Sequence, residues 1–307
     1  MSKIKFDFIG KRYIAYLVSL TIIISSWIVG LKIGPRFGVD FTGGITIQVK
    51  FKEDINSNII REKLKNYPSL IVQNFGEKGE YLIRVGILKN EDLEKLSNKL
   101  KQDIQKNFKD PIIESVNVIG PSISEELKKK GIFAVLYSVL AMGIYIAFRF
   151  EPVFALGAVV ALIHDVLVTI GLLMVLKQAF DLEIIAALLT LIGYSINDTI
   201  VVFDRIREKM KKELGKKPFD ILVNEAINET LPRTIITSLT TLLVVLTLYL
   251  FGSPNIKPFA LTLLIGIIAG TYSSIFIASA IVVDYYKFKN KNFFILKKAE
   301  TEKDSIL

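Results

Sequence analysis

The chain has 307 residues, of which 51% are hydrophobic, and its mean hydropathy of +0.45 is too high for an ordinary water-soluble domain. It contains no cysteine and a single histidine, which excludes disulfides and thiolate metal sites and disfavours a histidine-rich metal site. The net charge of +9 comes without a nucleic-acid recognition motif, so we interpret it as a signal of membrane topology and lipid contact.

Six apolar runs are long enough to cross a membrane, since a transmembrane helix needs about 20 apolar residues. The first run is followed by no small-residue cleavage site, so we expect a retained anchor and not a signal peptide. The predicted spans are Tyr13–Leu31, Ile132–Phe148, Val153–Leu176, Ile184–Phe203, Thr234–Phe251 and Pro258–Val283.

Basic residues are concentrated in alternate connections, which predicts the orientation of the chain. The short connections on one side carry only Lys177 and Lys257. The other side carries Lys3, Lys5, Lys11, Arg12, Arg205, Arg207, Lys209, Lys211, Lys212, Lys216, Lys217 and the lysines of the C-terminal tail. We therefore predict that both termini are cytoplasmic. The expected organisation is a cytoplasmic N-terminus with the first span (1–34), an extracytoplasmic domain (35–125), a bundle of five further spans (126–284) and a basic cytoplasmic tail (285–307).

The segment between the first and second runs has the composition of a soluble domain. Alternating apolar residues from Ile45 to Phe51 predict a half-buried strand. Further along, the patterns predict a helix over Asn56–Asn66, strands over Ser69–Phe75 and Tyr81–Leu88 joined by a turn at Gly76–Gly79, a helix from Leu93 to Phe108, and a last strand around Val116 and Val118. This βαββαβ order suggests a small ferredoxin-like α+β domain, and we find in it no cluster of groups arranged for chemistry.

Two adjacent ionisable residues, His164 and Asp165, lie in the middle of the third apolar run. Ionisable groups at bilayer depth are costly, so chains that keep them usually use them. The pair could belong to a proton path or could fix helix packing. Because adjacent residues on a helix point about 100° apart, we expect that both cannot face one small site, which favours packing.

Asn197 and Asp198 interrupt the fourth run, roughly 9–10 Å inside the helix from Arg205 at 1.5 Å per residue. Thr190, Tyr194 and either Asn197 or Asp198 form a polar stripe on one helix face, which must face a helix bundle or a water-filled cavity. A carboxylate in such a place can take up and release a proton. The alternative is a structural carboxylate that pairs within the bundle.

Arg233 follows Pro232 at the start of the fifth run, and Thr237 continues its helix face one turn later. The guanidinium could pair with Asp198 when the carboxylate is ionised and be released when it is neutral. Equally, an arginine at a cytoplasmic helix end can be an anchor whose charge reaches the interface. In the sixth run, Gly266 and Gly270 begin a series of small residues that predicts a tight packing face, within the chain or with a partner.

Taken in order, these motifs resemble the SecF family of Sec protein-export subunits, which is related to the resistance-nodulation-division (RND) transporters. The related SecD subunits have a much larger outer domain and a different fourth span, so the resemblance is to SecF. It rests on the stretches Phe6–Arg12, Gly38–Gly44 with Asp40, Phe41, Gly43 and Gly44, Ile119–Ser124, His164–Asp165, Gly193–Glu208 and Leu231–Ser238.

The resemblance implies a non-enzymatic, multi-pass protein of the cytoplasmic (inner) membrane whose six helices form half of an RND-type bundle. It implies SecD as partner in a twelve-helix unit, association with the SecYEG channel and accessory factors such as YajC, and contact with the translocating preprotein. The proton motive force would drive the unit without a cofactor or metal, with Asp198, Arg233, Asn197 and Thr237 in the proton relay and His164 and Asp165 as further intramembrane polar residues. The sequence leaves H⁺ and Na⁺ open as the coupling ion.

Two rival functions are compatible with the same residues. The chain could be a structural subunit that stabilises SecD and the channel, with its buried charges used only for packing. It could also be part of an RND-type small-molecule exporter, although a single small outer domain without an apolar pocket argues against this.

Overall fold

The computed structural model describes residues 6–53, 55–75, 78–87, 92–213 and 217–289. The predicted turn at Gly76, the basic residues Lys3, Lys5 and Lys216, and the tail beyond Lys289 lie outside the described residues. In chain order the elements are α1 (Arg12–Ile33), β1 (Arg36–Phe37), α2 (Val39–Thr42), β2 (Gly44–Lys50), α3 (Ser57–Lys63), β3 (Ile71–Asn74), β4 (Glu80–Gly86), α4 (Leu93–Asn107), β5 (Ile112–Ile119), α5 (Pro121–Arg149), α6 (Pro152–Val175), β6 (Ala179–Phe180), α7 (Leu182–Glu213), α8 (Phe219–Phe251) and α9 (Ile256–Lys289).

Six of these helices are long and apolar enough to cross a membrane, which confirms the predicted number of spans. Proline occupies the first helical position of α5 and α6, where its missing N–H would be unpaired in any case. Four predicted spans were too narrow. Helix α5 begins at Pro121 and not at Ile132, and α9 continues past Val283 to Lys289. Helix α7 continues to Glu213, and α8 begins at Phe219 and passes through Pro232, so Arg233 lies well inside a helix that it was expected to open. A hydropathy criterion detects only the apolar part of a helix, and the amphipathic ends escape it.

The six long helices are buried to different degrees. In the most apolar window of each, 61% of residues are buried in α6 and in α9 and 50% in α7, against 11% in α5 and 17% in α8. The small residues of α9 pack against α7 within the chain. A Cβ at Gly266 would lie 2.4 Å from Leu191 Cδ2, and one at Gly270 would lie 3.0 Å from Ser195 Cβ. Helices α6, α7 and α9 thus form the centre of the bundle, while α5 and α8 leave apolar surface uncovered.

The residues from β2 to β5 form a separate α/β domain. Its four strands make an antiparallel sheet in the order β3–β4–β2–β5. One face of the sheet carries both helices, since Ile45, Ile47 and Val49 of β2 share a buried core with Ile60 of α3 and Leu100 of α4. The burial of alternate residues in β2 is the pattern that predicted this strand.

A short parallel bridge joins the segment after α1 to the segment before α7. Arg36 pairs with Ala179 and Phe37 with Phe180, and the Gly38 N–H donates to the Phe180 carbonyl at 2.7 Å. Strands of two residues carry no readable periodicity, so the sequence did not predict them. The bridge brings the Gly38–Gly44 motif to the N-terminal end of α7.

Candidate functional site

Asp198 lies at the meeting point of α7, α8 and α9, and only 4% of its surface is exposed. Ser238 Oγ of α8 donates to Asp198 Oδ2 at 3.1 Å, and Thr237 Oγ1 lies 3.5 Å from Oδ1. Thr271 Oγ1 of α9 donates in turn to Ser238 Oγ at 2.8 Å. The carboxyl group is therefore held by two neutral hydroxyl groups of α8, and one of these, Ser238, accepts a hydrogen bond from α9.

Of the two hydroxyl partners, Ser238 is the stronger. Thr237 Oγ1 also approaches the Arg233 and Thr234 carbonyls of its own helix at 3.0 Å, so its contact with Asp198 is the longest of three alternatives. Sequence reasoning selected Thr237 and missed Ser238. The only available signal was the row of hydroxyl residues after Arg233, in which no position stands out.

Two residues predicted for this site make no hydrogen bond to Asp198. Asn197 and Arg233 are both exposed, and among the described residues the side-chain hydrogen-bond partners of Asp198 are Thr237 and Ser238. The Arg233 charge is nevertheless close enough to act on the Asp198 carboxyl group. Asn197 points away because it is rotated about 100° around α7 from Asp198. Tyr194 of the predicted stripe does contact α8, since its hydroxyl donates to the Thr237 carbonyl at 3.1 Å, whereas Thr190 bonds only its own helix.

A second buried polar cluster surrounds His164 and Asp165. Asp165 Oδ1 lies 2.9 Å from His164 Nδ1, so the expectation that adjacent residues could not face one site is wrong for this pair. Their Cα–Cβ bonds diverge, but both side chains turn back towards each other. Asp165 Oδ2 accepts from Ser195 Oγ of α7 at 2.6 Å and from Ser273 Oγ of α9 at 2.9 Å. Sequence reasoning assigned the serines of α9 to packing and missed this role.

Four residues of the Gly38–Gly44 stretch have a structural role in this fold. Asp40 Oδ2 accepts from the Leu182 N–H at 3.0 Å and so caps the first turn of α7. Phe41 packs against the cluster formed by the adjacent ends of α6 and α7. Gly43 and Gly44 have φ of +75° and +150°, and a Cβ on Gly44 would lie 2.2 Å from the Val85 carbonyl oxygen.

A buried ion pair holds the α/β domain to the same helix end. Arg84 of β4 contacts Asp181, which precedes α7, at 2.8 Å, and Glu183 lies 3.8 Å away. Burial raises the pKa of Asp181 to about 7, and the charges of Glu183 and Asp40 add to this while Arg84 opposes it. One carboxylate oxygen from each of Asp40, Asp181 and Glu183 lies within 4.8 Å of the other two. Arg84 supplies the positive charge beside them. We call this group of four residues the junction.

Comparison with known proteins gives consistent matches over nearly the whole chain. A family model described as protein export membrane protein SecD/SecF, C-terminal, matches residues 99–288, and one described as the SecD/SecF GG motif matches residues 28–55. The protein translocase subunit SecF of Calditerrivibrio nitroreducens is 45% identical over 282 residues, covering 90% of this chain and 92% of that protein. The subunit of the same name from Rickettsia akari is 41% identical over 297 residues, covering 94% and 96%.

Two solved structures show the same arrangement of elements. The crystal structure of SecDF from Thermus thermophilus, described as a translocon-associated membrane protein, aligns with a TM-score of 0.78 and 34% identity. The structure of SecDF in a super-membrane-facing form aligns with a TM-score of 0.70 and 33% identity. These alignments cover 92% and 97% of this chain but only 39% and 40% of the SecDF chains.

Proposed function

Because this chain belongs to the SecD/SecF family of protein-export membrane proteins, we propose that it is the SecF half of a SecDF unit that uses the proton motive force to assist export of preproteins. SecD supplies the second half of the bundle, and the unit works beside the SecYEG channel in the cytoplasmic membrane. The SecD partnership is supported by the SecDF structures, of which this chain matches 39% and 40%. It is also supported by the uncovered apolar faces of α5 and α8.

The observation that carries the proposal is the environment of Asp198. A carboxyl group buried among three helices, whose hydrogen-bond partners among the described residues are hydroxyl groups, can hold a proton without losing its hydrogen bonds. Each proton that crosses is worth about 2.3 kcal/mol per 100 mV of membrane potential, which is enough to bias a two-state helix arrangement. The exposed Arg233 is released in this arrangement and pairs with Asp198 when the carboxyl is ionised.

A change of helix packing at Asp198 is transmitted to the α/β domain along α7. Asp198 lies on this helix, and the same helix is capped by Asp40 and joined to the α/β domain through Asp181. A change of packing around Asp198 therefore moves the domain that, in our proposal, has the ferredoxin-like fold and lies on the extracytoplasmic side. Both termini then lie in the cytoplasm. A domain tied to a moving helix end can pull on an emerging preprotein.

Preprotein translocation into proteoliposomes that carry SecYEG, SecD and this chain tests the proposal. With a proton gradient, we expect Asp198→Asn to remove the gradient-dependent increment while still co-purifying with SecD. Asp204→Asn is the matched control. This acidic residue lies on the same helix but is 45% exposed, and its ion pair with Arg149 is long, at 3.4 Å, and exposed to solvent. Repeating the assay with a Na⁺ gradient identifies the coupling ion.

The opposite result supports the structural function. If Asp198→Asn keeps the full increment, or lowers only the yield of the complex, the buried carboxyl serves to pack α7 against α8. The hydroxyl contacts from Ser238 and Thr237 would then be sufficient to explain its burial.

A further inference from the structure

The cluster around His164 extends through four contacts to the backbone of α1. Asp165 Oδ1 lies 2.9 Å from His164 Nδ1, and His164 Nε2 lies 3.1 Å from Ser19 Oγ. Ser19 Oγ lies 3.4 Å from the Tyr272 hydroxyl, which donates to the Ala15 carbonyl at 2.8 Å. The side chains of His164, Asp165 and Ser19 are all buried. This chain of contacts does not include Asp198.

A count of protons shows that the chain is incomplete when the pair carries a negative charge. With Asp165 ionised and the imidazole neutral, His164, Ser19 and Tyr272 bring one proton each, so three protons serve four contacts. If Ser19 donates to Tyr272, the histidine must carry a proton on Nε2. The contact between Nδ1 and Asp165 Oδ1 then needs a proton of its own, because two lone pairs would otherwise face each other at 2.9 Å.

We propose that His164 and Asp165 form a second proton-binding site, separate from Asp198, in which one proton is shared between Nδ1 and Oδ1. Binding completes the four contacts and also makes the pair electrically neutral. Neutrality is favoured here because Asp165 is 1% exposed and His164 is its only ion-pair partner among the described residues. On release of the proton, the Ser19 hydroxyl turns from Tyr272 to His164 Nε2, and His164 Nδ1–H donates to the carboxylate.

Among the described residues, no basic side chain faces this pair. Helix α1 presents Ser19, and its charged residues Arg12 and Lys32 lie at its two ends. Helix α9 presents Tyr272 and Ser273, and α7 presents Ser195, with Asp198 one turn further along. The charged residues of α5 lie in its first turns and at its final residue, Arg149. The proton is therefore held by the pair and by neutral hydroxyls.

Two features connect this site to the movement of the bundle. Helices α7 and α9 carry parts of both sites. Ser195, which bonds Asp165, lies one turn before Asp198 on α7, and Ser273, which also bonds Asp165, lies two residues after Thr271, which bonds the Asp198 partner Ser238. In addition, a π-helical turn over Ser274–Ala278 begins directly after Ser273, and such turns often mark functional sites. Occupancy of the site therefore affects the same helix contacts as Asp198. The inference holds whether or not Asp198 drives export.

The single histidine makes this site directly observable. We would label the full chain with ¹⁵N-histidine, purify it through a histidine-free tag, and record imidazole nitrogen shifts from about pH 5 to about pH 9, the range in which histidine titrates. The expected result is a change from a form with Nε2 protonated and a proton between Nδ1 and Asp165 to a neutral form protonated on Nδ1. A wild-type histidine that is neutral and protonated on Nδ1 at every pH would overturn the proposal.

Variants assign the change to this site. Asp165→Asn should leave a neutral imidazole throughout, and Ser19→Ala should alter the Nε2 signal because its partner is gone. Thr169→Val is the matched control, because Thr169 Oγ1 donates to the backbone carbonyl of Asp165 and not to its carboxylate. In Asp198→Asn the pH-dependent change should persist. Its loss there would show that the histidine only reports on Asp198, which would also overturn the proposal.

Discussion

Replacing Arg84 with alanine is expected to weaken the docking of the α/β domain on the membrane helices by about 3 kcal/mol. Arg84 and Asp181 are 9% and 2% exposed, and breaking a buried ion pair by removing one partner costs about 3–5 kcal/mol. We expect the lower end of this range because the raised pKa of Asp181 allows it to take up a proton once Arg84 is gone.

Hydrogen–deuterium exchange on the full chain measures this effect. Peptides that contain β1, α2 and β6 should exchange faster in Arg84→Ala than in the wild type, while the sheet of the α/β domain keeps its protection. Lys52→Ala is the control, because the Lys52–Asp110 pair is more than half exposed on both sides and should contribute about 1 kcal/mol or less. Equal exchange in both variants would show that the Arg84–Asp181 ion pair does not hold the α/β domain on the end of α7.

Replacing Gly44 with alanine is expected to destabilise the α/β domain by about 4 kcal/mol. The φ of +150° costs a side chain roughly 2 kcal/mol, and moving the Val85 carbonyl away from a Cβ at 2.2 Å costs roughly as much again. Gly44 pairs with Gly86 of β4 and with Ile119 of β5, so the strain falls on the central strand of the sheet.

Thermal unfolding of the full chain tests this expectation, together with hydrogen–deuterium exchange of the peptides that contain β2 and β4. The matched control is Gly120→Ala, since a Cβ there would lie 3.9 Å from its nearest neighbour, Leu93 Cδ1, and φ is −72°. Loss of protection in Gly44→Ala with none in Gly120→Ala is the expected pair of results. A stable Gly44→Ala variant would mean that the strand can shift to accept a side chain.

The six spans could be predicted because hydropathy is averaged over about 20 residues and does not depend on distant contacts. The strands of the α/β domain could be predicted for a similar reason, since apolar and polar residues alternate along β2, and the apolar ones are buried. The bridge between β1 and β6 and the pair between Arg84 and Asp181 were not predictable. They join residues far apart in the sequence, 97 positions in the case of the ion pair, and no local pattern marks either partner.

The candidate site was predictable only in part. Asp198 could be found because a carboxylate in an apolar helix is conspicuous. Its partner Ser238 could not, since a hydroxyl residue is equally at home bonding its own helix. Asn197 was wrongly included in the site. It was grouped with Asp198 because the two residues are adjacent, although the helix turns Asn197 outwards. For His164 and Asp165 the error was the reverse. The two adjacent residues were expected to point to different sites, but their side chains turn towards each other.

Proton influx into proteoliposomes that contain SecD and this chain, without the channel, tests the central claim about Asp198 most directly. A potassium-diffusion potential drives the influx, and a trapped pH-sensitive dye records it for the wild type, Asp198→Asn and Asp204→Asn. We predict that Asp198→Asn abolishes the protein-dependent influx and that Asp204→Asn retains it. Undiminished influx through Asp198→Asn, in a variant that still binds SecD, would contradict the proposal that Asp198 carries the proton.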